Sequence, residues 1–478
     1  MSHQDLTLDN PPAAHHQDLK LVLDWLLEGA DFSGIHFRDL CTWTPRSLTC
    51  AALLWAWSDQ TALTERFTAA RKIAVVALGL STLTATTYQA FLKMLRAWTL
   101  MLAAVLVVAL RRRMQADLAD RFLVAGYAVF GVDGSRLELP RTASNQAHFA
   151  PRPKRRSKPK RRSKPKRRRP RTPAARAAAA AAAAKKADSP RMWLTTMWHV
   201  GTGLPWDRRL GPSGSSERDH LRRMIAALPA DALVTADAGF VGYEYWKALL
   251  DSGRQLLIRV GANVRLLRGP GYARERAGRV YLWPDREAAR RQPPLVLRPV
   301  VAQGGRHPVY LVTSVLEEER LSDQRIIKIY ALRWGVELFY RHFKQTFGRR
   351  KLRSHRGENA EVEAIWSLVG LWSLGLHGQV ELAYDEVPAS RVSVAGLLRA
   401  YRASMREYRS CPEPGESLWE RLSEAVIDGY TRSSKASRDY PRKKREQAIG
   451  APEIRPATEL EIEMAHQIKD AQSTRLTA

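Results

Sequence analysis

Over the first 120 residues, apolar side chains recur at three- and four-residue steps within 19–27, 47–57, 61–78 and 86–113. That spacing predicts four helices. The pattern then changes. Residues 122–132 form a β-branched and aromatic run that stops at Asp133-Gly134, the mark of a strand ending in a turn. A second strand is expected over 192–200, a turn at Gly201-Thr202-Gly203, and a third strand over 204–210. Ser216 is placed to cap a helix reaching Leu228. A strand at 232–236, a helix at 243–250 and a strand at 255–260 follow, then a mostly strand-forming section over 264–314. A long helical pattern starts near Leu321, and helix continues to about Tyr408. Beyond Thr431 the chain is polar and basic, with a weak helical pattern at 459–468. Strands followed by alternating strand and helix predict a mixed α/β core with helical flanks.

Charge adds a partner class. The 478 residues carry 77 Lys+Arg against 48 Asp+Glu, a net +29. This excludes an acidic disordered regulator and favours a polyanionic partner, nucleic acid ahead of an anionic membrane. The charge is uneven, because 17 basic residues and no acid lie between Arg152 and Lys186, and setting them aside leaves +12. Within that block the hexapeptide 155–160 repeats at 161–166, and eight alanines occupy 177–184. A phosphate-binding arm and a tolerated loop expansion explain it equally well. Cys41, Cys50 and Cys411 have no metal-type spacing, which predicts reduced thiols in a cytosolic-type compartment. The opening residues lack the apolar stretch of a secretory signal. The apolar run 97–110 falls short of the roughly 20 residues that span a bilayer, so a buried core helix is expected. These features predict a soluble intracellular protein.

Motifs for a phosphate loop, a zinc protease, a serine hydrolase elbow and a dinucleotide site are all absent from the sequence. Carboxylates remain. Asp133 and Asp237 each follow an apolar strand-like run, where a loop can open a site to solvent. Either alone also reads as a turn or capping residue, and for a lone Asp-Gly that is the better reading. Around Glu337 the pattern is richer. At about 100° per residue, Tyr330, Arg333, Glu337, Arg341 and Lys344 share one helical face across roughly 80°. Leu332, Val336, Phe339 and Phe343 gather on the opposite face, and Trp334 falls on the polar side, where the core does not need it. A surface helix with a Glu337–Arg341 pair would leave Tyr330 and Trp334 unexplained.

A carboxylate flanked by Tyr, Arg and Lys suits a phosphodiester. Arg333 and Lys344 can hold non-bridging oxygens, and Trp334 can stack on a displaced base. Glu337 together with Asp133 and Asp237 would gather Mg²⁺, whose charge offsets their mutual repulsion. Two such ions can serve the attacking and leaving oxygens of an in-line displacement.

The spacing Tyr330-(2)-Arg333-(3)-Glu337-(6)-Lys344 resembles the signature of DDE transposases of the insertion sequence 4 family. Asp133-Gly134-Ser135, with Arg141 to Asn145 and Phe149, resembles the family's first-aspartate block, and Asp237-Ala238-Gly239-Phe240 its second. The acids lie in the family's order, 104 and 100 residues apart. The resemblance implies a ribonuclease-H-like core with a strand-rich insertion between the second Asp and the Glu. It implies cleavage of transposon ends and joining of the 3′-hydroxyl to target DNA by a homodimer in a synaptic complex on the bacterial nucleoid. It implies catalytic, metal-binding roles for Asp133, Asp237 and Glu337, with two Mg²⁺ that Mn²⁺ can replace. Tyr330, Arg333, Trp334, Arg341 and Lys344 would contact DNA.

The expected organisation is a helical region 1–120 for end recognition, a catalytic core 121–378, and a helical region with a basic tail 379–478. The low-complexity loop 151–187 and a β-rich insertion 262–315 interrupt the core. The loop departs from the family pattern, although length adds only slowly to closure entropy. A plain metal-dependent nuclease and a catalytically inactive DNA-binding derivative are the rival functions.

Overall fold

The computed structural model describes residues 15–81, 87–150, 190–273, 278–303, 307–409, 413, 415–427 and 449–477. The basic and alanine-rich block, Cys411 and residues 431–448 lie outside the described residues. The N-terminal helices form where periodicity places them: α1 (Leu19–Leu26), α2 (Pro45–Trp57), α3 (Leu63–Leu78) and α4 (Tyr88–Ala116). Asp18, Thr44 and Thr87 cap α1, α2 and α4 by accepting from backbone N–H groups that have no partner inside the helix. By length and composition α4 could cross a membrane. Here Leu95, Leu102, Leu106 and Leu110 are buried, whereas Leu100 and Val108 are exposed.

After a helical turn at Ala119–Phe122, a tight turn closes between Val124 and Tyr127, with φ of 54° at Ala125 and 85° at Gly126. Strand β1 then runs Ala128–Glu138, followed by α5 (Ala143–Phe149), β2 (Arg191–His199) and β3 (Leu204–Pro212). Next come α6 (Glu217–Met224), β4 (Ala232–Ala236), α7 (Tyr243–Asp251) and β5 (Gln255–Val260). Four short strands, β6 (Arg265–Arg268), β7 (Val280–Leu282), β8 (Leu295–Ala302) and β9 (Val309–Thr313), fill the section expected to be strand-rich. Helices α8 (Asp323–Leu332), α9 (Gly335–Arg341), α10 (Gly357–Tyr384), α11 (Val394–Arg406) and α12 (Leu418–Ser423) follow. The described chain closes with β10 (Glu453–Pro456) and α13 (Glu459–Thr477).

All ten strands join one mixed sheet in the order β10-β6-β7-β8-β9-β5-β4-β1-β2-β3. Strands β1, β4 and β5 are mutually parallel, β2 pairs antiparallel with β1, and β3 pairs antiparallel with β2 and so runs in the direction of β1. Strands β9 back to β6 extend the sheet beyond β5 through antiparallel pairs, and β10 adds in parallel at the β6 edge. The sheet joins the helical layer through α10, which is buried along most of its length among apolar residues. Two indole N–H groups tie it to the N-terminal helices: Trp57 Nε1 donates to Gly370 O at 2.8 Å and Trp366 Nε1 to Thr99 Oγ1 at 2.9 Å.

Two local expectations need correction. Asp133 does not end its strand; β1 continues to Glu138 because β2 pairs with it as far as Glu138↔Arg191. The helical pattern around Glu337 is not one uniform helix either. Helix α8 stops at Leu332, and at Trp334, Val336 and Glu337 the backbone N–H groups bond three residues back, at 3.1–3.3 Å. Residues His342–Thr346 then form a π-helical turn. A 3₁₀ step rotates more per residue than an α step and a π step less, so a constant 100° count does not carry through this segment. Leu332, placed on the core face by that count, is 50% exposed.

Candidate active site

The sheet itself opens the site. Strand β4 pairs with β1 only over Ala128–Gly131, opposite Ala232–Thr235. Beyond Gly131 one edge of β1 is therefore free of β4, and Asp133 sits in that gap, held on its other side opposite Thr196 of β2. Asp237 follows directly after β4 and caps a short 3₁₀ turn, its Oδ1 accepting from Gly239 N at 2.8 Å. Glu337 comes from the first turn of α9. The side chains of Asp237 and Glu337 lie close enough to Asp133 to act on its charge.

Position 335 decides where that helix can lie. A Cβ on Gly335 would come within 1.9 Å of the Trp198 ring, so only glycine lets α9 start against β2. Tyr340, one turn beyond Glu337, anchors the helix from the other end. Its hydroxyl donates to Asp133 O at 2.8 Å and accepts from Thr196 N at 3.1 Å.

Burial pushes the Asp133 carboxyl up to about 6; the Asp237 and Glu337 carboxylates push the same way, while the Gly134 N–H and Arg333 oppose. A fourth acid adds to the crowding. Glu217, at the first position of α6, rises to about 7, through burial first and then through Asp133 and Asp237. Its carboxylate lies over Gly134, where a Cβ would approach Oε1 to 2.2 Å. Sequence reasoning missed Glu217. Its only signal was its place next to the capping Ser216, at the start of the helix that leads back toward β4.

Cations border the acids on two sides. Arg333 Nη2 lies 3.4 Å from Glu337 Oε1, and its guanidinium stands over the Tyr330 ring at 5.4 Å. Lys344 Nζ, in the π turn, donates to Ser135 Oγ at 2.5 Å. Burial lowers the Lys344 pKa, as does Arg350, with Asp133 opposing. Glu337 thus pairs with Arg333 rather than with Arg341. Arg341 is exposed and lines a cleft of about 900 Å³ together with Trp334, Leu338 and Trp198. Trp334, 57% exposed, has the accessible aromatic face that the sequence pattern suggested. The fold therefore gathers Asp133, Asp237, Glu337, Arg333, Tyr330 and Lys344 at one centre, and sets Trp334 and Arg341 on the adjoining cleft.

The acids form an all-oxygen, strongly negative donor set, in which burial first and the neighbouring carboxylates next raise two of the carboxyls. That chemistry fits a hard divalent cation such as Mg²⁺ or Mn²⁺. Asp133, Asp237 and Glu337 are the candidate ligands for it.

No curated protein matches the chain. Among solved structures, a piggyBac transposase synaptic complex with hairpin DNA aligns over 88% of both chains, with 11% identity and a TM-score of 0.39. The family model described as the transposase DDE domain matches residues 125–372, a span that begins just before β1, ends inside α10 and contains all three acids. It covers more than half of the sequence, and the chain belongs to the DDE transposase family.

Proposed function

We propose that this protein is a transposase of the insertion sequence 4 type, which cleaves transposon ends and joins the freed 3′-hydroxyl to target DNA. The observation that carries the proposal is the convergence of Asp133, Asp237 and Glu337 from β1, the end of β4 and α9, with Arg333 and Lys344 beside them. The strand order β3-β2-β1-β4-β5, with only β2 running opposite to its neighbours, supports a ribonuclease-H-like core. On that frame, 121–378 is the catalytic core, 262–315 its insertion, and the helical region before residue 120 reads the element's ends. The acting species is a homodimer in a synaptic complex, on DNA of the bacterial nucleoid.

In cleavage, water attacks phosphorus and the 3′-oxygen leaves; in joining, that 3′-hydroxyl attacks a target phosphodiester and displaces its 3′-oxygen. Arg333 and Lys344 hold the non-bridging oxygens and fix the phosphorus in line with the attacking oxygen. Arg333 Nε is buried without an acceptor, a donor left free for such an oxygen. Tyr330 keeps the Arg333 plane in place beneath it, and Trp334 stacks on a base displaced next to the cut, with Arg341 on the adjacent backbone phosphate. Divalent ions held by the three acids, two Mg²⁺ in the family's pattern, would supply activation of the attacking oxygen and stabilisation of the leaving one.

Asp133→Ala and Glu337→Ala should abolish cleavage and strand transfer, by at least about 10³-fold, while binding of end DNA persists in gel-shift assays. Equal cleavage by wild type and Glu337→Ala would remove Glu337 from the centre. Nicked products that are never joined to a second DNA would identify a plain nuclease. End binding without any cleavage in Mg²⁺ or Mn²⁺ would identify an inactive derivative.

A further inference from the structure

Away from the acids, a second group of potential ligands joins the start of the described chain to the long, mostly buried helix α10. His377 and Glu381 stand one turn apart on α10, both fully buried, and so project from the same face. His16, just before α1, turns its Nδ1 onto Glu381 Oε1. His377 Nε2 lies 3.2 Å from that same oxygen and makes no hydrogen bond, a buried polar atom left unsatisfied. The three ligand atoms fall within 4.8 Å of one another.

The surroundings orient these groups. Tyr401 Oη lies 2.9 Å from His377 Nδ1, which leaves Nε2 as the outward-facing nitrogen of that ring. His15 Nδ1 reaches the other oxygen of Glu381 at 3.0 Å, and its ring is stacked on Trp419 with centroids 3.5 Å apart. Arg113, the nearby cation, is engaged by Glu28 and Asp117 and lies over the Trp25 ring, so it does not serve Glu381.

Each imidazole can meet that oxygen either through a neutral ring N–H or by turning a lone pair toward a shared cation. His377 Nε2 makes no hydrogen bond there, which favours the cation, with neutral imidazoles each offering a lone pair. We propose that His16, His377 and Glu381 bind a zinc-class transition-metal ion, which pins the N-terminal segment to α10. Two imidazoles and a carboxylate suit Zn²⁺ or Co²⁺, whereas Mg²⁺ prefers oxygen ligands and retained waters. The second contact of this segment runs along the same seam: Leu418 N donates to Gln17 O at 2.8 Å. The ion therefore has a structural role, holding α1 and α12 against α10.

The test uses the full chain carrying Asp133→Asn, Asp237→Asn and Glu337→Gln, so that the acids at the other centre cannot contribute a bound ion. After equilibration with Zn²⁺ and removal of excess, elemental analysis should find one equivalent per chain. Co²⁺ in its place should give the visible absorption of a low-coordinate nitrogen–oxygen site. His16→Ala, at a partly exposed position that a folded chain tolerates, should lose both signals without changing far-ultraviolet circular dichroism. Glu381→Gln should lose them as well. Chelation should lower the melting temperature of the parent and leave that of His16→Ala unchanged. Absence of a bound equivalent, or zinc retained in both His16→Ala and Glu381→Gln, would overturn the proposal, whatever the outcome of the cleavage assays.

Discussion

At Asp133, burial and two neighbouring carboxylates hold a proton that an ordinary aspartate would have released. The consequence for stability has a definite sign. With a pKa of about 6 in the folded chain against the ordinary 3.8 when unfolded, the contribution of Asp133 is intact below 3.8 and is lost as pH rises through 6. Glu217, near 7, extends the same trend upward. In metal-free protein, Asp133→Asn should raise the melting temperature, and its advantage over wild type should grow from about pH 4 to about pH 6 and level off above. Mn²⁺ should stabilise wild type at the alkaline end and stabilise Asp133→Asn much less, because the ion replaces the missing positive charge. Differential scanning fluorimetry across pH with and without Mn²⁺ checks this. An equal Mn²⁺ response in both proteins would mean that the acids do not share an ion. The residue types at this centre were legible from spacing and resemblance. Glu217 was not, since an acid in the first turn of a helix has an ordinary capping explanation.

The segment from α8 to the π turn shows where periodicity stops being a guide. Counting at constant rotation puts Tyr330, Arg333, Glu337, Arg341 and Lys344 on one face, yet Arg341 lies along the Trp334 cleft and Lys344 beside Ser135. The 3₁₀ bonds before Glu337 and the π turn after Arg341 shift the angular phase, and both follow from packing against β1 and β2. Gly335 is the hinge of that packing. In Gly335→Ala the new methyl meets the Trp198 ring, and α9 must move off β2. The substitution should destabilise by about 1–3 kcal/mol and reduce cleavage more than DNA binding, because Glu337 moves with the helix. Adding Trp198→Leu should recover part of the cleavage by making room, as a gel-based cleavage assay would show. No recovery in the double variant would place the cost in the backbone of α9 rather than in the contact with Trp198.

Across the whole molecule, the sheet is completed by a segment distant in sequence. Strand β10 lies along β6, and α13 follows it, burying Ala465 and Ile468. Without them β6 would become an open edge with unpaired backbone groups beside uncovered apolar surface. Deletion of residues 449–478 should therefore lower the melting temperature and promote aggregation, readable by size-exclusion chromatography with light scattering. A monodisperse truncated protein with an unchanged melting temperature would show that β10 contributes nothing to the sheet. The helices α1 to α4 and the strands β2, β4 and β5 were readable nearly to the residue, because each carries its own period and its own capping or turn residue. The pairing of β10 was not readable, because Glu453–Pro456 is short and polar and acquires strand character only from its partner.

Local chemistry settled much of this protein in advance. Apolar periods marked the elements, and the spacing of Asp133, Asp237 and Glu337 with Tyr330, Arg333 and Lys344 singled out candidate acids and cations. Only the tertiary structure decided that β4 stops short of Asp133 and opens the site, that Glu217 joins the acids, and that Arg341 turns away from them. It alone also decided that His16 meets His377 and Glu381 across 361 residues of chain. Such outcomes depend on which surfaces meet. The energy of meeting belongs to pairs of segments distant in sequence, and no local period or propensity records it.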